Sequence, residues 1–194
     1  MLNDVVKKYQ KLNELAEQGG IVLFGCGEDL SIPLCEIKQS FSVDEQLYNR
    51  SVSDLSLVDA CEVYRQCVAS LKPDTLFLHL GAFDKKLFTE NPGEFSELYS
   101  ALIKAVKQDN PNCSISVVSL KNEDNDECIA SMNKLLKDIA TVNLCEFTDI
   151  SHKTVWNPKS SMATSSFLHS IGFVRPLKQK RSSYDLARML YQFA

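Results

Sequence analysis

Ile21-Val22-Leu23-Phe24-Gly25-Cys26-Gly27-Glu28-Asp29 is four apolar residues running straight into a glycine-rich turn. An apolar run of this length, bounded by turn residues, reads as a fully buried strand, and two glycines flanking a small residue let the backbone turn sharply and approach a ligand closely. In an open α/β sheet the crevice beyond the carboxyl end of such a strand is where ligands bind. The turn therefore predicts both the fold class and the place of the chemistry.

Working outward, apolar residues at Val5, Val6, Tyr9, Leu12 and Leu15 predict a helix over Asp4 to Gln18, stopped by Gly19-Gly20. Beyond the turn, a less regular stretch through Pro33 leads to a short second strand around Leu47 to Val52. A helix from Leu55 to Leu71 is followed by Thr75-Leu76-Phe77-Leu78-His79-Leu80, too continuously apolar to be an exposed strand. The alternation then repeats: helix Pro92 to Gln108, strand Ser114 to Leu120, helix Asp126 to Thr141 and strand Leu144 to Phe147. A long serine-rich segment from Asp149 to about Ser166 and a last helix, Ser183 to Phe193, complete the chain. Five strands joined by helical crossovers predict a three-layer α/β/α sandwich, flavodoxin-like, with a mainly parallel five-stranded sheet. One domain over 1–194 suits a chain of 194 residues.

Composition narrows the function classes. Apolar residues at 44% and charged residues at 24% are ordinary for a globular protein. A net charge of -4 argues against nucleic acid as a partner, and the basic group Arg175, Lys178, Lys180 and Arg181 reads as a solvated face. No apolar run approaches a membrane span and the first twenty residues lack a signal-peptide centre, so a cytoplasmic protein with no membrane partner is expected. Seven cysteines without any Cys-x-x-Cys pair read as reduced, core-filling thiols rather than a disulfide framework or a metal site. No phosphate-binding Gly-Lys-Ser or Gly-Lys-Thr loop and no flavin-type hydroxyl run occurs, so no cofactor is expected. The composition leaves oligomeric state open.

The three turns at Gly25-Cys26-Gly27, Asn49-Arg50-Ser51-Val52-Ser53-Asp54 and Gly81-Ala82-Phe83-Asp84, with Ser166-Phe167-Leu168-His169, resemble the SGNH (GDSL-type) hydrolases. Pro73-Asp74 before the third strand and the Asn110-Pro111 turn also have counterparts there, and the resemblance runs over nearly the whole chain. It implies the family fold, an acyl ester or carbohydrate type of small ligand, and a site at these turns. In that family a serine attacks the acyl carbonyl, a histidine activates it and an aspartate three residues earlier orients the imidazole. Carried over residue by residue, the serine falls on Gly27, the oxyanion glycine on Asp54 (or Ser53 with a slip of one), the asparagine on Phe83 and the aspartate on Ser166; only His169 is kept.

The resemblance therefore implies an acyl-hydrolase fold without its nucleophile, and a non-catalytic protein is expected: no hydroxyl stands at the elbow. The pocket expected for a binding or interaction role comprises Gly25, Cys26, Gly27, Asn49, Asp54, Gly81, Phe83, Asp84 and His169. The competing reading is an active ester hydrolase with a displaced nucleophile, Cys26 or Ser31, and with His169 as its base. A third reading compares Val22-Leu23 and Gly25-Cys26-Gly27 with the first motif of class I methyltransferases, although Leu30 replaces the third glycine and Asn49-Arg50 offers no acid for a ribose. His79, inside an apolar strand, is expected to be a hydrogen-bonded buried side chain; His152 a solvated one; Asp84 a capping residue; and Trp156 a loop anchor.

Overall fold

The computed structural model describes residues 2–32, 34–40, 43–122, 124–151, 190 and 191. Five strands, β1 Ile21–Gly25, β2 Leu47–Asn49, β3 Thr75–His79, β4 Ser114–Val118 and β5 Glu146–Thr148, form one sheet in the order β2-β1-β3-β4-β5. Every pairing is parallel. This is the expected α/β sandwich, and β1 and β3 lie side by side, with Gly25 in register with His79.

Strand alternation divides the core. Val22, Phe24 and Cys26 of β1 and its extension, with Leu76, Leu78 and Leu80 around β3, join one cluster; Ile21, Leu23 and Phe77 join the other. The first cluster is covered by α1 (Leu2–Asn13), α3 (Leu57–Cys67), α5 (Pro92–Asp109) and α6 (Glu127–Val142) through residues such as Tyr9, Tyr64, Tyr99 and Leu136. Ile32, Val43, Ile150, Leu190 and Tyr191 pack on the second.

Sequence and structure part company at several boundaries. The first helix ends at Asn13, well before Gly19-Gly20. The side chain of Asn13, the last helical residue, is tied to other elements: its amide donates to the Cys67 carbonyl (2.8 Å) and its oxygen accepts from Arg50. Gly19 and Gly20, both at positive φ, instead steer the chain into β1, where the Gly20 N–H meets the Asp74 carboxylate at 2.7 Å. The second strand is only three residues long, its expected continuation being a single bridge between Cys26 and Val52. The expected helix 55–71 is α3 followed by a 3-10 turn, Ala69–Leu71.

Two helices were not anticipated, α2 (Leu34–Ser40) and α4 (Lys85–Glu90). The latter is bracketed by Asp84 and by Asn91, whose side chain accepts from the Glu94 N–H at 3.2 Å and starts α5 with Pro92 at its first turn. The expected C-terminal helix over 183–193 and the serine-rich segment fall largely outside the described residues, as do His152, Trp156, Ser166, His169 and the basic group 175–181. Among the described residues no helix is long and apolar enough to cross a membrane.

Candidate functional site

The carboxyl ends of β1 and β3 bring the three turns together. After Gly25 the chain enters a 3-10 turn, Gly27–Ser31, with Gly27 at φ +59, the left-handed conformation that favours glycine. The Gly27 N–H donates to the Ser53 carbonyl at 2.8 Å, and the Val52 N–H donates to the Gly25 carbonyl at 3.0 Å. The second turn is thus zipped to the first by main-chain bonds. Phe83 leans over the same place: a Cβ built on Gly27 would lie 3.6 Å from its ring, in ordinary contact, and the residue is 50% exposed.

The remaining expected pocket residues are mostly occupied by holding this arrangement. Asn49 donates to the Asp29 carbonyl at 2.7 Å and accepts from the Ser51 N–H at 2.9 Å. Asp84 is buried and accepts from the Leu57 N–H with both oxygens, at 3.1 and 3.2 Å. It is a cap, as expected, but for α3 rather than for the helix it precedes. Asp54 is exposed and takes the Ser53 hydroxyl at 3.2 Å. Gly81, at φ +113, packs so closely on Phe95 that a Cβ would come within 3.2 Å of its ring. Ser31 sits, exposed, at the end of the 3-10 turn.

Cys26 faces the first cluster, with its thiol 3.7 Å from the His79 carbonyl. Burial, then the neighbouring Asp29 charge, pushes this thiol up to about 12, only partly opposed by the Ala82 N–H. At neutral pH it is therefore a protonated, shielded group and a poor nucleophile. A raised pKa gives stability that is complete below the unfolded thiol value near 9 and is lost as pH rises toward 12. At pH 8, iodoacetamide should alkylate exposed Cys35 at least tenfold faster than Cys26, read by peptide mass spectrometry; equal rates would contradict this burial.

The structure also builds a constellation that the sequence reading did not assemble. Asp29, 1% exposed, projects its carboxylate into the space beside Gly25, where a Cβ would overlap it. Both oxygens lie 2.9 Å from His79 Nδ1. A carboxylate only accepts, so the proton of that contact sits on Nδ1 and the far nitrogen, Nε2, faces the other way. Nε2 is buried without a hydrogen-bond partner, and the Tyr191 ring meets the imidazole edge-on with centroids 4.8 Å apart.

Arg50 is 5% exposed and lies between two aromatic faces, 5.1 Å from the Tyr9 centroid and 5.4 Å from that of Tyr48. Its Nε and Nη2 donate to Asn13, at 2.9 and 2.7 Å, and Nη1 donates to the Asn49 carbonyl at 2.9 Å. Tyr9 in turn donates to the Ser51 carbonyl at 2.6 Å. The second turn is thereby anchored to α1, and Arg50 is a structural residue. Among the described residues no group of three or more metal-ligating side chains occurs. A cavity of about 430 Å³ lined by Lys107, Pro111, Cys113, Ser114, Leu144 and Glu146 lies at the amino ends of β4 and β5, away from these turns.

Solved structures with this architecture share one fold. A GDSL-like lipase from Bacteroides thetaiotaomicron superposes with a TM-score of 0.61 at 14% identity, covering 84% of this chain and 92% of that one. The chain has the SGNH/GDSL hydrolase fold. A protein from Streptococcus pneumonia named for platelet activating factor reaches 0.67 at 20% identity, over 87% of this chain and 91% of the other. An acetylxylan esterase from Geobacillus stearothermophilus gives 0.56 at 15%, over 84% and 99%. No family model and no curated protein matches the sequence.

Proposed function

We propose that this SGNH/GDSL-fold protein has lost the family's acyl-transfer machinery at the first three turns and uses them for binding a small acyl or carbohydrate ligand. One observation carries the reading. At Gly27, where the resemblance puts the nucleophilic serine, there is no side chain, and the backbone N–H that would serve an oxyanion is bonded to the Ser53 carbonyl at 2.8 Å. Losing one oxyanion donor costs about 3–4 kcal/mol of transition-state stabilisation, and losing the nucleophile costs about a million-fold in rate. The Asp54 charge near this turn opposes a developing oxyanion further.

What remains is a half-exposed aromatic residue, Phe83, beside a glycine turn rimmed by polar backbone, a surface suited to an apolar or sugar face rather than to bond cleavage. That the similar structures include proteins described as a lipase and as esterases supports the same ligand class. Ethyl butyrate and xylobiose serve as acyl and sugar probes. Titrated into the isotope-labelled protein, at least one should shift the amide resonances of Gly27 and Ala82 saturably, and Phe83→Ala should weaken that response at least fivefold. Shifts absent with both probes, or unaffected by Phe83→Ala, would overturn the binding reading.

A further inference from the structure

The Asp29–His79 pair has the form of an acid–base device. The carboxylate fixes the Nδ1 side of the ring with two 2.9 Å contacts and leaves Nε2 directed away, which is the arrangement in which an imidazole takes up a proton from a bound hydroxyl or water. The pair is built into the frame. Gly25 leaves room for the carboxylate, and the Asn49 amide grips the Asp29 carbonyl at 2.7 Å. His79 ends β3 at the carboxyl edge of the sheet.

It lies on the opposite sheet face from Cys26, since Gly25 and His79 are register partners and Cys26 follows in the alternation. Asp29 shares its 3-10 turn with Gly27, but the test of the pair reads His79 and that of the ligand reads Gly27 and Ala82, so either can fail without the other. The side chain is only 11% exposed, and Tyr191 packs against the imidazole with Leu190 in the same cluster. Two polar atoms stay without partners in this contact, His79 Nε2 and the Tyr191 hydroxyl. Burying both penalises the closed arrangement, so the seal is weaker than one made by a wholly apolar ring.

We infer that Asp29 and His79 form an occluded general-base site, with His79 Nε2 as the base, Asp29 as its positioning residue and the Tyr191 ring as a stopper whose withdrawal exposes it to water and a small ester. When open, Nε2 takes a proton from water as the water oxygen bonds to the ester carbonyl carbon. The bond from that carbon to the alkoxy or phenoxy oxygen then breaks, and the imidazolium passes its proton to the departing oxygen, giving the acid and the alcohol or phenol and restoring the neutral base.

Diethyl pyrocarbonate labelling of His79, read by peptide mass spectrometry, and hydrolysis of p-nitrophenyl acetate test this on the full chain. Tyr191→Ala should label at His79 at least tenfold faster than the unmodified protein, whereas Tyr191→Phe should label no faster. Tyr191→Ala should also hydrolyse the ester at least tenfold faster, and adding His79→Gln should return the rate to that of the unmodified protein. Tyr191→Leu, which keeps an apolar side chain in the cluster, makes the same comparison if the alanine variant does not fold. Three results would each overturn the inference: labelling of His79 in the unmodified protein as fast as N-acetylhistidine, no faster labelling in the folded opened variants, or faster labelling with no His79-dependent hydrolysis.

Discussion

Asp29→Ala should lower the unfolding free energy by about 3 kcal/mol, the range found when one partner of a buried pair is removed. The carboxylate is almost fully enclosed and takes both contacts from His79 Nδ1, while Nε2 has no partner of its own. Without Asp29 the imidazole has neither nitrogen satisfied in a site that excludes solvent. Urea denaturation of Asp29→Ala, His79→Leu and the double variant forms a cycle that isolates the coupling. A coupling above about 1 kcal/mol, with the double variant more stable than Asp29→Ala alone, is expected. Gly25→Ala should act on the same contact from the other side, since its methyl group would overlap the carboxylate and lie 3.0 Å from the His79 carbonyl. Simple additivity in the cycle would show that the pair contributes nothing.

Arg50→Ala is the second large effect, again about 3 kcal/mol, from lost stacking, lost hydrogen bonds and the cavity left between the rings. The guanidinium meets Tyr9 and Tyr48 and bonds Asn13 and the Asn49 carbonyl at once, so its removal releases the second turn from α1. Burial lowers the Arg50 pKa, but an arginine stays charged across the accessible pH range. Arg50→Lys should recover little, because an ammonium cannot stack as a plane or offer the same fork of donors. Thermal unfolding of the two variants checks this; a lysine variant as stable as the parent would show that charge alone suffices.

These two contacts also mark where sequence reading stops. The continuous apolar runs of β1 and β3, the long periodic helices α5 and α6, and the parallel order all follow from local pattern, and the structure carries them with boundaries shifted by a residue or two. The short helices α2 and α4 do not, because six or seven residues give too little periodicity to register. Asp29 and His79 are fifty positions apart, and nothing local links them. A signal did exist: a histidine inside an apolar strand requires a buried partner, and an acid placed four residues after a strand-ending glycine is positioned to supply it. Arg50 read as part of a turn motif, since its stacking on Tyr9 and Tyr48 depends on where α1 lands. Asp84 was legible as a cap, but which helix it caps depends on the approach of the third turn to α3.

At the turn Gly25-Cys26-Gly27, which the proposed function reads as an elbow without its nucleophile, the Gly27 N–H donates to the Ser53 carbonyl and burial raises the Cys26 thiol pKa. Exposure of the intact protein to a fluorophosphonate probe, followed by intact-mass and peptide mass spectrometry, tests that account most directly. No stoichiometric adduct at any serine or cysteine is predicted. A single-site adduct at Ser31 or Cys26, accompanied by saturable p-nitrophenyl acetate turnover that Ser31→Ala or Cys26→Ala abolishes, would contradict it.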